Sequence, residues 1–334
     1  MAASTNAPRI PLLVLGGFLG AGKTTLLRHL LSQSAAEGGL RWLALVNDFG
    51  EVNLDAELIA EQHADTIALT NGCVCCSIGG DLSQALIEVL ARRPLPEAIV
   101  IEASGVSDPW RVAQIGMAAP ELLLDSVTVV VDASTVLRHA HDPMLADTLS
   151  RPLAHADLVL LNKADSVDDA TLAQVQAWVD QHAPNVRRLT TVQAQVPLAV
   201  LSAAQPTGDT AQATASASRD AAECSHDEPH GHDHGQHDAH HHAHDQEFST
   251  WSARPTQHFD EAALSKAVQA LPPQVLRVKG VLRTERGWRQ LQFAGTRVRW
   301  QAASATEPIV IAIGVGPDWA RELRPLFDDA SAPA

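Results

Sequence analysis

Gly17-Phe18-Leu19-Gly20-Ala21-Gly22-Lys23-Thr24 decides the fold. The stretch fits GxxxxGKS/T, directly follows an apolar run (Ile10–Leu15) that reads as a strand, and opens a helical pattern over Lys23–Leu31. Strand, loop and helix in that order are the setting a phosphate-binding loop requires. Its glycines let backbone N–H groups turn inward around phosphate oxygens, and the helix N-terminus adds positive potential. Gly17, Gly20, Ala21 and Gly22 are therefore expected to cradle phosphate. Lys23 is expected to reach the β- and γ-phosphates, the Thr24 hydroxyl to ligate Mg²⁺, and Thr25 to contact the α-phosphate.

Outward from this loop, short apolar runs at Trp42–Asn47, Ala98–Glu102, Val127–Asp132 and Leu158–Asn162 alternate with helical patterns at Leu82–Ala91 and Thr171–His182. Continuous apolar strands separated by helices predict a mainly parallel sheet covered on both faces. The fold class is α/β, a P-loop nucleotide hydrolase domain over residues 9–204. Residues 205–247 are rich in Ala, Thr, Ser, Asp and His and nearly free of large apolar side chains. Such a segment cannot bury enough surface to offset its ordering entropy, which predicts a disordered His-rich linker. From 248 to 334 a helix (Glu261–Leu271), β-like runs (Val275–Val281, Trp288–Phe293, Arg297–Trp300, Ile309–Ile313) and a last helix (Asp318–Phe327) predict a small α+β domain with an antiparallel sheet.

The chain of 334 residues carries 24 Lys and Arg against 39 Asp and Glu, a formal charge of −15. That balance argues against nucleic acid or an anionic membrane as partner. Three of the four cysteines stand together, which is no disulfide framework and fits a reducing compartment. The first apolar run is too short to span a bilayer, and nothing at the N-terminus reads as a signal peptide, so the expected location is the cytoplasm.

Asn162-Lys163-Ala164-Asp165 ends another strand. At this distance after a phosphate loop, Asn162, Lys163 and Asp165 suit guanine. The Asp165 carboxylate would accept from the guanine N1–H and its 2-amino group, and ATP, lacking both donors, would forfeit about 1.5–3 kcal/mol per bond. Ile101-Glu102-Ala103-Ser104-Gly105 offers a carboxylate for Mg²⁺, directly or through water, and a Gly105 N–H for the γ-phosphate. Asn47-Asp48-Phe49-Gly50-Glu51 also ends a strand; the carboxylates of Asp48 and Glu51 are candidates for organising Mg²⁺ or the attacking water, a solvated loop being the alternative.

Cys73, Cys75 and Cys76 lie between these two segments. Three thiols within four residues can converge on Zn²⁺, Cu⁺ or Co²⁺ and leave one position open, which suits transfer. CxxC redox chemistry and simple burial are the competing readings. His226, His230, His232, His234, His237, His240, His241, His242 and His244 form an irregular internal tract. In a mobile segment they would make weak, exchanging accessory sites for a transition metal, or merely solvate a linker. His29, His63 and His182 read as structural or surface residues.

In order along the chain, GGFLGAGKTT (16–25), NDFGE (47–51), NGCVCC (71–76), EASGVSDP (102–109) and NKAD (162–165), followed by LRVKG (276–280) and LQFAGTRVRW (291–300), resemble the CobW-type P-loop GTPases. That family includes zinc-associated metallochaperones, cobalamin-biosynthesis CobW and nitrile hydratase activators. The resemblance implies GTP hydrolysis to GDP coupled to metal binding at Cys73, Cys75 and Cys76. The residues read above make Lys23, Glu51, Glu102 and Gly105 the catalytic set with GTP and Mg²⁺ as cofactors, and thiolates plus histidines put zinc first, with cobalt as the alternative. The resemblance further implies delivery to a client metalloprotein, and kinship with nickel-delivering GTPases that often dimerise. Asp48 departs from the family's usual Glu, and Ala103 from a frequent Thr. The competing functions are a metal buffer with minor GTPase activity, a cobalt chaperone for cobalamin synthesis, and a small-molecule kinase on the same loop.

Overall fold

A computed structural model describes residues 9–36, 40–46, 66–68, 78–202, 248–305 and 307–327. Asp48, Glu51, the cysteines at 73, 75 and 76 and the histidine tract lie outside these residues.

Among the described residues the first sheet has seven parallel strands: β1 (Ile10–Gly17), β2 (Trp42–Val46), β3 (Thr66–Ala68), β4 (Ala98–Glu102), β5 (Leu122–Asp132), β6 (Leu158–Asn162) and β7 (Arg187–Thr190), in the order β3-β2-β4-β1-β5-β6-β7. β1 therefore stands inside the sheet, between β4 and β5, and the loop at its carboxyl end opens at the sheet's rim. Side chains alternate across a strand. Leu13 and Leu15 pack with Leu26, Leu27 and Leu30 of α1 (Lys23–Ala36) on one face. Leu12 and Val14 pack on the other, with α2 (Ile78–Ala91), α3 (Pro109–Met117) and the later helix Asp169–His182. The two covered faces explain the unbroken apolar runs in the sequence.

The second sheet is antiparallel, with β8 (Phe248–Ala253), β9 (Val275–Thr284), β10 (Gly287–Ala294), β11 (Arg297–Ala302) and β12 (Ile309–Val315) in the order β11-β10-β9-β12-β8. One face packs on the helix Glu261–Gln269 around Leu264, Val268, Phe293 and Phe327. The other face meets the first domain: Leu276 is buried in the core that lies under α1, and Phe248, Ile313 and Val315 pack against it.

Three arginines seal this junction. Arg277 pairs with Asp125, both side chains almost wholly buried, and also donates to the Val200 carbonyl. Arg187 donates to the carbonyls of Val275 (2.6 Å), Leu271 (3.3 Å) and Gly295. Arg297 meets the Asp157 carboxylate at 3.1 Å.

These partners explain where strand boundaries differ from the sequence pattern. β5 begins at Leu122 rather than Val127 because its polar Asp125 is neutralised by Arg277 and hydrogen-bonded by Ser202. The short, charged β7 and the polar β8 carry no apolar period of their own. The expected last helix over Asp318–Phe327 divides into a 3₁₀ turn (Trp319–Glu322) and a short α-helix (Arg324–Phe327) with Pro325 inside its first turn, where the missing N–H costs least.

Candidate functional site

The phosphate loop leaves β1 and enters α1 with Gly22 at φ +109, a conformation that side chains rarely adopt. A Cβ there would also stand 2.4 Å from the Asn162 side-chain nitrogen. The residue is glycine on both counts. Lys23 is buried, and its ammonium donates to the Phe18 carbonyl at 3.2 Å, so the charge sits folded into the loop. Gly17, Gly20 and Ala21 complete the turn; Thr25 is exposed at the start of α1.

The Thr24 hydroxyl donates to Glu102 Oε1 at 2.9 Å. This brings together two residues 78 positions apart, one from the first turn of α1 and one from the end of β4. A hydroxyl and a carboxylate side by side form the hard oxygen donor set that suits Mg²⁺. Beyond Glu102, the Ala103 N–H donates to the Leu15 carbonyl at 2.8 Å, and Gly105 lies so close to the loop that a Cβ on it would stand 2.8 Å from the Leu19 nitrogen. Gly105 is thereby placed beside the phosphate loop.

Asn162 is a buried bridge. Its amide donates to the Ala21 carbonyl at 2.9 Å, and its oxygen accepts from the Ala194 N–H at 2.7 Å and the Thr191 hydroxyl at 3.3 Å. One side chain therefore joins the phosphate loop to the turn that follows β7. Gln193 and Ala194 in that turn have φ of +52 and +54, a conformation costing roughly 1–2 kcal/mol for a non-glycine residue, and such strain concentrates at binding sites. This turn is the part of the pocket the sequence did not reveal: Thr191–Gln195 has no glycine and no charge to mark it.

Lys163, itself at φ +60, pairs with Asp132 at 2.8 Å. Burial pushes the Asp132 carboxyl up, but hydrogen bonds from Lys163 and Ser134 and the Lys163 charge outweigh it and hold the group below its ordinary value. The lysine's stem is thus fixed beside the exposed Asp165, which lines a cleft of about 940 Å³ together with His29, Gln33, Thr191, Val192 and Gln195. His29 also approaches the Ala194 carbonyl at 3.4 Å, whereas His182 bonds back to Trp178 in its own helix.

Among the described residues no cluster of three His, Cys, Asp or Glu could hold a metal ion, and no helix is long and apolar enough to cross a membrane.

Residues 11–190 match the family described as the CobW/HypB/UreG nucleotide-binding domain, and 248–330 match the cobalamin synthesis protein cobW C-terminal domain. Among curated proteins, the chain is 34% identical over 226 residues to the zinc chaperone CobW of Pseudomonas aeruginosa, covering 58% of this chain and 59% of that one. It is 36% identical over 185 residues to the zinc chaperone YjiA of Escherichia coli, covering 52% and 56%. It is 30% identical over 230 residues to the zinc-regulated GTPase metalloprotein activator 1 of Dictyostelium discoideum, covering 57% and 47%. The chain thus spans about half the length of the curated relatives it matches.

Proposed function

The chain belongs to the CobW/HypB/UreG family of nucleotide-binding proteins, and on that premise we propose that it is a GTP-hydrolysing metallochaperone whose cargo is zinc. The observation that supports the nucleotide part is the Asn162 bridge, which ties the loop containing Lys23 to the turn beside the cleft that Asp165 lines. In this reading Asp165 accepts the guanine donors, Lys163 supports the base, and Gly17–Gly22 and Thr25 hold the phosphates. Lys23 leaves the Phe18 carbonyl for the charge that develops on the transferring phosphoryl group, and Gly105 donates to the γ-phosphate. Thr24 and Glu102 would hold Mg²⁺, which when bound neutralises charge on the β- and γ-oxygens. Glu51 organises the attacking water.

The zinc part is supported by the names of the relatives and by the thiols at Cys73, Cys75 and Cys76. On the chain these stand between Glu51 and Glu102, the carboxylates that this reading assigns to the attacking water and to Mg²⁺, and that order is the basis for coupling zinc to the nucleotide state. The histidine tract serves as a weaker accessory store, and a client metalloprotein in the cytoplasm receives the ion, with a homodimer as the working assembly. Delivery gated by nucleotide requires zinc to bind more tightly in one nucleotide state, typically by about 5–150-fold, and the coupling is reciprocal. A competition titration of zinc against a chromogenic chelator, on protein lacking residues 224–244, tests this. Tighter zinc binding with a non-hydrolysable GTP analogue than with GDP is expected, and the tight site is lost in the Cys75→Ser, Cys76→Ser double variant. Equal zinc affinity in the two nucleotide states rejects gated delivery and leaves a metal buffer.

A further inference from the structure

The start of α3 is held by four contacts. Asp108 caps it, its carboxylate accepting the Trp110 N–H at 2.9 Å. Pro109 lies against the end of β1, so close that a Cβ on Gly16 would stand 2.6 Å from the proline ring. The third hold comes from the C-terminal domain: the Arg297 guanidinium sits over the Trp110 indole, 5.0 Å from the ring centroid. Arg297 is itself fixed, by the Asp157 carboxylate at 3.1 Å and the His155 carbonyl at 3.0 Å. The His155 ring stacks on the same indole at 4.7 Å.

Only Ala103–Asp108 separate α3 from Glu102, and little slack remains in them. Ser107 N–H donates to the Ser104 carbonyl at 3.0 Å, the two hydroxyls meet at 2.9 Å, and Ala103 is tied to β1. A displacement of Trp110 is therefore passed to Ser104 and Gly105 beside the phosphate loop. The guanine contacts expected at Asn162 and Asp165 stand on a different strand and loop.

We propose that Arg297, supplied by the C-terminal domain, is a positioning residue for hydrolysis: it holds Trp110 and, through it, the turn that sets Gly105 against the phosphate loop. This rests on the GTPase reading above. It makes hydrolysis depend on how the C-terminal domain is seated, so a partner that moves β11 alters turnover without touching the nucleotide.

The test is steady-state GTP hydrolysis by the full chain, with GDP affinity measured beside it. Arg297→Gln and Trp110→Leu are each expected to lower kcat by about three- to thirtyfold, the range an Arg–indole contact spans, with KM and GDP affinity unchanged. The double variant should be no slower than Trp110→Leu alone, because that substitution already removes the Arg297 contact along with the His155 stack. Arg297→Lys should recover part of the loss. Unchanged kcat in folded Arg297→Gln, losses that multiply in the double variant, or a loss appearing equally in GDP affinity overturns the inference. If Arg297→Gln does not fold, Trp110→Phe and Arg297→Lys, which keep a ring and a charge, form the same cycle and are read in the same way. A parent chain that does not turn over GTP removes the GTPase reading and this inference together; an active parent with unaffected variants removes this inference alone.

Discussion

Thr24 Oγ1 donates to Glu102 Oε1 at 2.9 Å, and this contact closes the phosphate loop against the end of β4. The hydroxyl is presented by the first turn of α1, and the carboxylate is buried at the sheet's rim. A carboxylate in that position lowers the free energy of a bound divalent cation far more than an amide would.

Glu102→Gln keeps the size and an acceptor for Thr24 but removes the charge. We expect hydrolysis to require at least about tenfold more Mg²⁺ for half-saturation, a loss of roughly 1.4 kcal/mol in cation binding, while the melting temperature stays near that of the parent. Rates measured across a Mg²⁺ series check this. An unchanged Mg²⁺ requirement takes Glu102 out of the cation site.

Asp165 is exposed and lines the cleft. The parent should prefer GTP over ATP by at least about two orders of magnitude, from hydrogen bonds that adenine cannot make. Asp165→Asn should relax this preference and admit xanthosine triphosphate, whose 2-oxo group matches the asparagine amide. Equal turnover of ATP and GTP by the parent would sink the guanine assignment.

Much of this site was legible in the sequence because its parts are local. The loop from Gly17 to Thr24 is one contiguous turn, and its strand and helix flank it directly. Asn162–Asp165 likewise ends a buried strand. What stayed hidden depends on distant partners. Asp125 breaks an apolar run and hides the first half of β5, because Arg277, 152 positions away, neutralises it. Arg187 hides β7 in the same way, since its guanidinium is satisfied by carbonyls of the other domain. The turn Thr191–Gln195 has no signature residue because it contributes backbone and is held by Asn162 from outside.

Asn162 therefore has two roles that a single substitution should expose together. Asn162→Ala leaves the Ala21 carbonyl and the Ala194 N–H without their partner inside the protein, each at about 1–3 kcal/mol. We expect a clear fall in thermal stability, and also faster GDP release, because the strained turn at Gln193 and Ala194 loses its anchor. Stopped-flow release of a fluorescent GDP and a thermal melt measure the two effects. Release at the parental rate from a destabilised variant would make Asn162 structural only.

The last expectation concerns acid. Asp157 is almost wholly buried; burial pushes its carboxyl up to about 6, against the opposing pull of Arg297, a hydrogen bond from the Val127 N–H, and the charges of Arg299 and Arg277. The charged groups facing it thus come from β9 and β11 of the second sheet, and Arg187 of β7 also feels its charge. A carboxyl whose value is raised on folding binds its proton more tightly in the native state than in the unfolded chain. Its contribution to stability is complete below the ordinary value of 3.8 and is lost as pH rises through about 6. The displacement is worth roughly 3 kcal/mol at most. Asp157→Asn cannot titrate, so the stability of the parent minus that of the variant should rise as pH falls from 7 to 5, whatever the variant's own offset at pH 7. Urea unfolding of both proteins across that interval measures the difference. A difference that stays flat, or that falls toward pH 5, would mean that Arg297 and the Val127 N–H stabilise the carboxylate enough to cancel the cost of burying it.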